Sequence, residues 1–292
     1  MTCRLVCCVL ACTLISVHVY GQEQDKIVLS LPALSGQPGQ NHTFYVSQLA
    51  KIVLPSPQET RVVGGQVTTN TKLGGYLTAL FYENEFVCGG TLLKDNIVLT
   101  AAHCFLGRMQ ASEWIVAGGM STLNQKGIRR HVKDFILSEQ FREDDMNMDV
   151  AVILLKTPLT GKNIGKLSLC SVGLKPGVEL VVSGWGMTNA RGRGPQSLLR
   201  TVTVPIIHRK NCRAAYQPMA KITDSMICAA VLGNKDACTF DSGGPMVFKK
   251  QVCGIVSFGI GCASKRYPGV YTDVLYVKPF IEKSIKALLA RR

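Results

Sequence analysis

From Val62 onward the chain runs as short apolar stretches rich in β-branched residues and broken by Gly, Asn, Asp and Pro: TLLKDNIVLTAA, EWIVAG, DVAVILLK, ELVVSGWG, VCGIVSFG and GVYTDV. Short strands at such spacing, without helical periodicity between them, predict an all-β sandwich or barrel and not alternating strands and helices. The C-terminus is the exception. There Val277, Phe280, Ile281, Ile285, Leu288 and Leu289 recur near every 3.6 residues, with Lys283, Lys286 and Arg291 off that face or at the end. A closing amphipathic helix is expected. No internal repeat or low-complexity block interrupts the pattern.

The N-terminus reads differently. Leu5 to Gly21 is apolar and uncharged behind Arg4, the pattern of a secretory signal over residues 1–21 with cleavage after Gly21. An uncleaved signal anchor is the alternative; the run is short for a bilayer, and no other apolar stretch stays free of charge for such a length. Residues 22–61 lack cysteine and carry Pro32, Pro38, Pro55 and Pro57. They also include Asn41-His42-Thr43, a glycosylation acceptor that makes sense only on an exposed segment of an exported chain. The segment ends in Arg61 before Val62-Val63-Gly64-Gly65, a basic residue before a small apolar start, and reads as a removable pro-segment ahead of a domain spanning 62–292.

With 292 residues and 47% hydrophobic content the chain is too apolar for disorder and large enough for a sizeable core. Its 33 Lys+Arg against 19 Asp+Glu give +14; the first 61 residues hold four bases and three acids, so 62–292 keeps +13. Such a charge favours anionic partners such as sulfated glycans or acidic proteins, or is simply a soluble basic surface. No nucleic-acid module and no membrane span accompanies it. Of twelve cysteines, Cys3, Cys7, Cys8 and Cys12 leave with the signal. The eight that remain are an even number in an exported chain, which favours disulfides; no C-x-x-C or His pair at ligand spacing points to a metal.

Three segments each carry a residue type needed to make a serine nucleophilic. A hydroxyl needs a base for its proton, and the base needs a carboxylate to hold its tautomer and stabilise the imidazolium. The candidates are His103 in TAAHC, Asp149 in MDVAV and Ser242 in DSGGP, in the order His, Asp, Ser. Taken singly, His103 could be a neutral histidine beside a disulfide and Asp149 a structural carboxylate at a strand end.

Together, VVGG, TAAHC, DVAVILL, SGWG, DSGGP and PGVYTDV resemble the chymotrypsin/trypsin family of serine proteases over essentially all of Val62 to Arg292. The short pro-segment and the CASKRYPGVYTDV ending are similar to insect secreted trypsins, seminal-fluid proteases among them. The resemblance implies two six-stranded antiparallel β-barrels with the active site between them, one giving His103 and Asp149, the other Ser242. It implies an oxyanion hole from the backbone N–H groups of Ser242 and residue 240. It places Asp236 at the bottom of the primary pocket, facing a substrate Arg or Lys, with Gly259 and Gly269 on the walls and Ser257-Phe258-Gly259 along the substrate backbone. Ala237, without the hydroxyl common in trypsins, tilts that preference toward Arg, whose planar fork can meet the carboxylate directly. Cleavage after Arg61 would free the Val62 ammonium to pair with Asp241. The implied disulfides are Cys88–Cys104, Cys212–Cys228 and Cys238–Cys262. Cys170 and Cys253 match no usual family pair and join by elimination, with free thiols as the alternative.

Two departures stand out. Phe240 replaces the glycine that gives the family one oxyanion donor; its side chain can exclude the required backbone conformation or crowd substrate, and losing one such donor costs about 10²- to 10³-fold in turnover. A protease homologue that acts by binding is therefore the alternative to an enzyme. The loop after Val116, where many trypsins bind calcium through two glutamates, has no acid before Asp134 and carries Lys126, Arg129, Arg130, His131 and Lys133 instead.

Overall fold

The computed structural model describes residues 65–186, 197–233, 241–261 and 264–291. The expectations at Asn41, Arg61, Val62, Asp236, Ala237, Cys238, Phe240 and Cys262, and those on residues 1–21 and 22–61, lie outside these. In chain order the strands are β1 (Gln66–Val67), β2 (Leu77–Tyr82), β3 (Glu85–Lys94), β4 (Ile97–Thr100), β5 (Trp114–Gly118), β6 (Ile128–Leu137), β7 (Ala151–Leu155), β8 (Ser168–Leu169), β9 (Glu179–Gly184), β10 (Arg200–Ile207), β11 (Met226–Ala229), β12 (Pro245–Phe248), β13 (Gln251–Phe258) and β14 (Gly269–Asp273). The helices are α1 (Asn70–Leu73), α2 (Arg209–Tyr216) and α3 (Val274–Ala290).

Two six-stranded antiparallel barrels result. The first closes in the order β2-β3-β4-β7-β6-β5, with β5 back against β2. The second closes as β10-β11-β14-β13-β12-β9, with β9 back against β10; β1 adds to β10 and β8 runs parallel to β13. Side chains alternate across a strand, and in β10 Val202, Val204 and Ile206 point inward while Thr203 is exposed. Every residue of β7 is buried, because the face turned from the barrel interior is covered by α3. The first core centres on aromatic contacts of Phe105 with Trp114 (ring centroids 4.7 Å apart) and Phe135 (4.3 Å).

Asp273 caps α3, its carboxylate accepting the N–H groups of Leu275 and Tyr276; burial pushes that carboxyl above its usual range. The helix buries Val274, Val277, Ile281, Ser284, Ile285 and Leu288. Leu289, expected on the buried stripe, is 44% exposed at its margin, because the neighbouring Leu288 takes the core-facing position of the last turn. The eight-residue α2 was not expected: RKNCRAAY presents only Cys212 and Tyr216 to the core, too few apolar positions to read as a period. A second correction concerns Arg129, Arg130, His131 and Lys133. They lie in β6 and not in a loop, because Val132 enters the core while the backbone pairs with β5 and β7. Disulfides join Cys88 to Cys104, Cys212 to Cys228 and Cys170 to Cys253, with Cα separations of 6.3, 6.4 and 4.7 Å. Among the described residues no helix is long and apolar enough to cross a membrane.

Candidate active site

His103 stands in a 3₁₀ turn, Ala102–Phe105, that leaves β4, and the Cys88–Cys104 bridge staples that turn to β3. Asp149 lies between β6 and β7 and is 0% exposed. A buried carboxylate is tolerated only when its oxygens are satisfied, and these are. One oxygen accepts the His103 backbone N–H at 2.9 Å, and the other accepts His103 Nδ1–H at 2.7 Å and the Ser257 hydroxyl at 2.6 Å. The Thr272 hydroxyl donates to the Asp149 carbonyl at 2.7 Å. His103 belongs to the first barrel while Ser257 and Thr272 belong to the second, so both hold this one acid. With Nδ1 donating, Nε2 keeps its lone pair on the partly open side of a ring that is 19% exposed.

Ser242 sits in a tight turn ahead of β12, closed by Gly244 N–H donating to Asp241 O at 2.9 Å. The turn rests on the first barrel: Gly89 N–H of β3 donates to Ser242 O at 2.8 Å. Gly243 is required there. It has φ +76°, and a Cβ would lie 2.2 Å from Thr100 Oγ1 and 2.6 Å from Gly89 O. Since Thr100 ends β4 and His103 follows three residues later, this close approach brings the serine turn to the strand end that carries the base. Asp241, 2% exposed, accepts the Gly186 N–H at 2.8 Å, and a Cβ on Gly184 or Gly186 would overlap its carboxylate. That packing accounts for both glycines of SGWG.

Gly259 follows β13 and Gly269 opens β14; a Cβ on Gly259 would lie 3.9 Å from the Gly269 Cα, so the two are adjacent. Ser257, expected along a substrate backbone, has its hydroxyl on Asp149. Sequence reasoning missed Thr272, although a polar residue inside an otherwise buried strand signals a buried acceptor. It also missed the Met146-Asn147-Met148 turn before Asp149, where Met146 (φ 55°) and Met148 (φ 54°) take the left-handed conformation. Each costs about 1–2 kcal/mol. Cys88, His103 and Cys104 group closely enough to hold a metal, but the two sulfurs are bonded to each other, leaving a lone imidazole.

Residues 62–281 match the family model described as trypsin. The chain is 64% identical over 251 residues to Seminase of Drosophila melanogaster, covering 86% of this chain and 91% of that protein. It is 33% identical over 245 residues to the anionic trypsin of Canis lupus familiaris, covering 82% of this chain and 95% of that protein. Among solved structures it resembles neuropsin, a serine protease expressed in the limbic system of mouse brain, with a TM-score of 0.69 and 29% identity over 76% of this chain and 98% of that one. By the family match, the identity to these relatives and the shared fold, the chain belongs to the trypsin family of serine endopeptidases.

Proposed function

We propose that this protein is a secreted zymogen of an endopeptidase that cleaves after Arg or Lys through His103, Asp149 and Ser242. The buried Asp149 holding His103 by two hydrogen bonds, one to its backbone N–H and one to ring Nδ1–H, carries the reading. In the reaction Ser242 Oγ attacks the scissile carbonyl carbon as its proton passes to His103 Nε2. The tetrahedral intermediate collapses to an acyl-enzyme as the same proton leaves with the amine. Water, deprotonated by His103, then repeats the sequence and frees the acid. Asp149 keeps the other proton on Nδ1 and the ring in orientation throughout.

Asp236 supplies the preference for a cation, and adjacent Gly259 and Gly269 leave room for its long stem. Asp236→Ser is expected to lose most activity on Arg and Lys esters while activity on aromatic esters changes little, since only the cation loses a buried partner. Equal losses on both substrate classes, measured on protein cleaved after Arg61, would place Asp236 outside the pocket.

Phe240 favours a second reading, a homologue with weak turnover that acts by binding. Phe240→Gly separates the two. An oxyanion donor regained raises kcat by about 10²- to 10³-fold. Protein inhibitors of Kunitz type, which press against this position, should bind the glycine variant more tightly. Unchanged kcat and unchanged inhibitor affinity would remove Phe240 from the oxyanion hole. A wild type without turnover, rescued by glycine, would favour the binding reading.

Partners follow from the same residues: a trypsin-like activator at Arg61, and anionic glycans or acidic proteins along β6. Arg129 lies over the Phe81 ring at 4.5 Å, and Arg130 Nε donates to Pro158 O at 2.7 Å. His131 and Lys133 are exposed beside them.

A further inference from the structure

We infer that Ser225 is a positioning residue for the reaction, holding the strained turn before Asp149 in place from the opposite barrel. This rests on Asp149 acting as the triad acid. Ser225 immediately precedes β11, is 2% exposed and spends the whole hydrogen-bonding capacity of its hydroxyl. Its one proton goes to Asn147 Oδ1 at 3.1 Å. Its lone pairs accept the Met148 N–H at 3.1 Å and the Thr223 hydroxyl at 2.9 Å. Its carbonyl accepts the Asp273 N–H at 2.8 Å, which fixes Ser225 against the end of β14.

The turn it grips adopts a conformation its residues resist. Met146 and Met148 both have left-handed backbones, a region L side chains rarely adopt, and neither is Gly or Asn. Such residues persist only where their surroundings over-determine them. On its own barrel the turn is held by Asn147 N–H to Asp145 Oδ1 at 3.0 Å and by Arg142 N–H to Asn147 O at 3.4 Å, with Arg142 itself paired to Asp145. Those groups are at or near the surface. Ser225 is the buried hold.

Met148 is coupled directly to the acid. Val150 N–H donates to Met148 O at 2.8 Å, so Asp149 is the central residue of a three-residue turn whose first carbonyl belongs to Met148. If Met148 relaxes toward extended backbone, that carbonyl swings and the Asp149 Cα turns with it. Both carboxylate bonds to His103, at 2.9 and 2.7 Å, then lose alignment. The sequence of effects runs from a serine in the second barrel, through a turn in the first, to the tautomer of the base. Substrate-pocket residues are not in this path.

The test compares Ser225→Ala, Ser225→Thr, Asn147→Ala and the Ser225→Ala/Asn147→Ala pair with the parent. All are made as the full chain, cleaved after Arg61 and assayed on an Arg amide. Ser225→Ala should lower kcat about 10- to 100-fold, the scale for a misplaced supporting group, with KM little changed. The low-field NMR resonance of the His103 Nδ1 proton should move upfield as the bond to Asp149 lengthens. Ser225→Thr, which keeps the hydroxyl, should restore most of the rate. Asn147→Ala should add little to Ser225→Ala, since both remove one interaction. Should the alanine variant fail to fold, Ser225→Cys keeps the volume with a weak donor and should show the same split between kcat and KM. An unchanged kcat and an unmoved proton resonance in either variant would overturn the inference. Asp149→Asn run alongside separates the causes: full turnover there overturns the triad reading itself, whereas its loss together with an unaffected Ser225→Ala overturns the role of Ser225 alone.

Discussion

Asp149→Asn should lower kcat about 10⁴-fold while KM and Tm stay near the parent values, because the hydrogen-bond geometry leaves an amide one acceptable orientation. The oxygen at the His103 backbone accepts a fixed N–H at 2.9 Å, and an NH₂ group there would face a donor that cannot turn away. The amide oxygen must take that position. Its NH₂ then faces His103 Nδ1 and the Ser257 hydroxyl. The hydroxyl can rotate and accept. Nδ1 can accept only by giving up its proton, which places the proton on Nε2, where the base should be. A single atom exchange at a buried site therefore selects the wrong tautomer without disturbing packing. Single-turnover kinetics with ¹⁵N shifts of the imidazole would check both halves, and turnover within about tenfold of the parent would refute the tautomer argument.

Arg61→Gln should leave a protein that trypsin-like activators do not convert and that shows no turnover, with Arg61→Lys as the variant that keeps both. The acid proposed to receive the new ammonium is enclosed. Asp241 is buried, one of its oxygens is bonded to Gly186 N–H, and Gly184 and Gly186 wrap the carboxylate so closely that neither tolerates a Cβ. On the proposed activation, cleavage before Val62 would bring a new ammonium of the same chain to this buried carboxylate. Because Asp241 directly precedes Ser242, such a pairing would bear directly on the backbone of the serine turn. Mass spectrometry after exposure to trypsin, with an active-site titration, measures conversion and competence separately. Full activity in uncleaved Arg61→Gln would sink the activation mechanism.

The architecture was legible wherever apolar residues crowd together. The runs at 91–102, 149–156, 179–186, 252–259 and 269–274 all became strands, because their β-branched residues fill barrel interiors. Strands whose outward positions are strongly charged were hidden. In β6, Arg129, Arg130, His131 and Lys133 outnumber the inward Val132 and mask the alternation. The candidate triad was readable from three local motifs, since turn geometry around Gly243 and the histidine staple leave fixed residues in the sequence. Its supports were not. Ser225, Ser257 and Thr272 are ordinary small polar residues whose partners lie 77, 108 and 123 positions away, and no local pattern encodes a contact between barrels.

Those distant partners make catalysis a gauge of how the halves of the molecule are joined. Asp149 is grasped by a histidine from one barrel and by two hydroxyls from the other, so its setting exists only while the two stay docked. Each barrel has its own closed ring of strands, but one buried core runs through both, with Phe86 of the first against Trp185 beside the second at 6.0 Å between ring centroids. A wedge-like inhibitor or mild denaturant that slackens this seam should therefore silence the protein before its circular dichroism is lost.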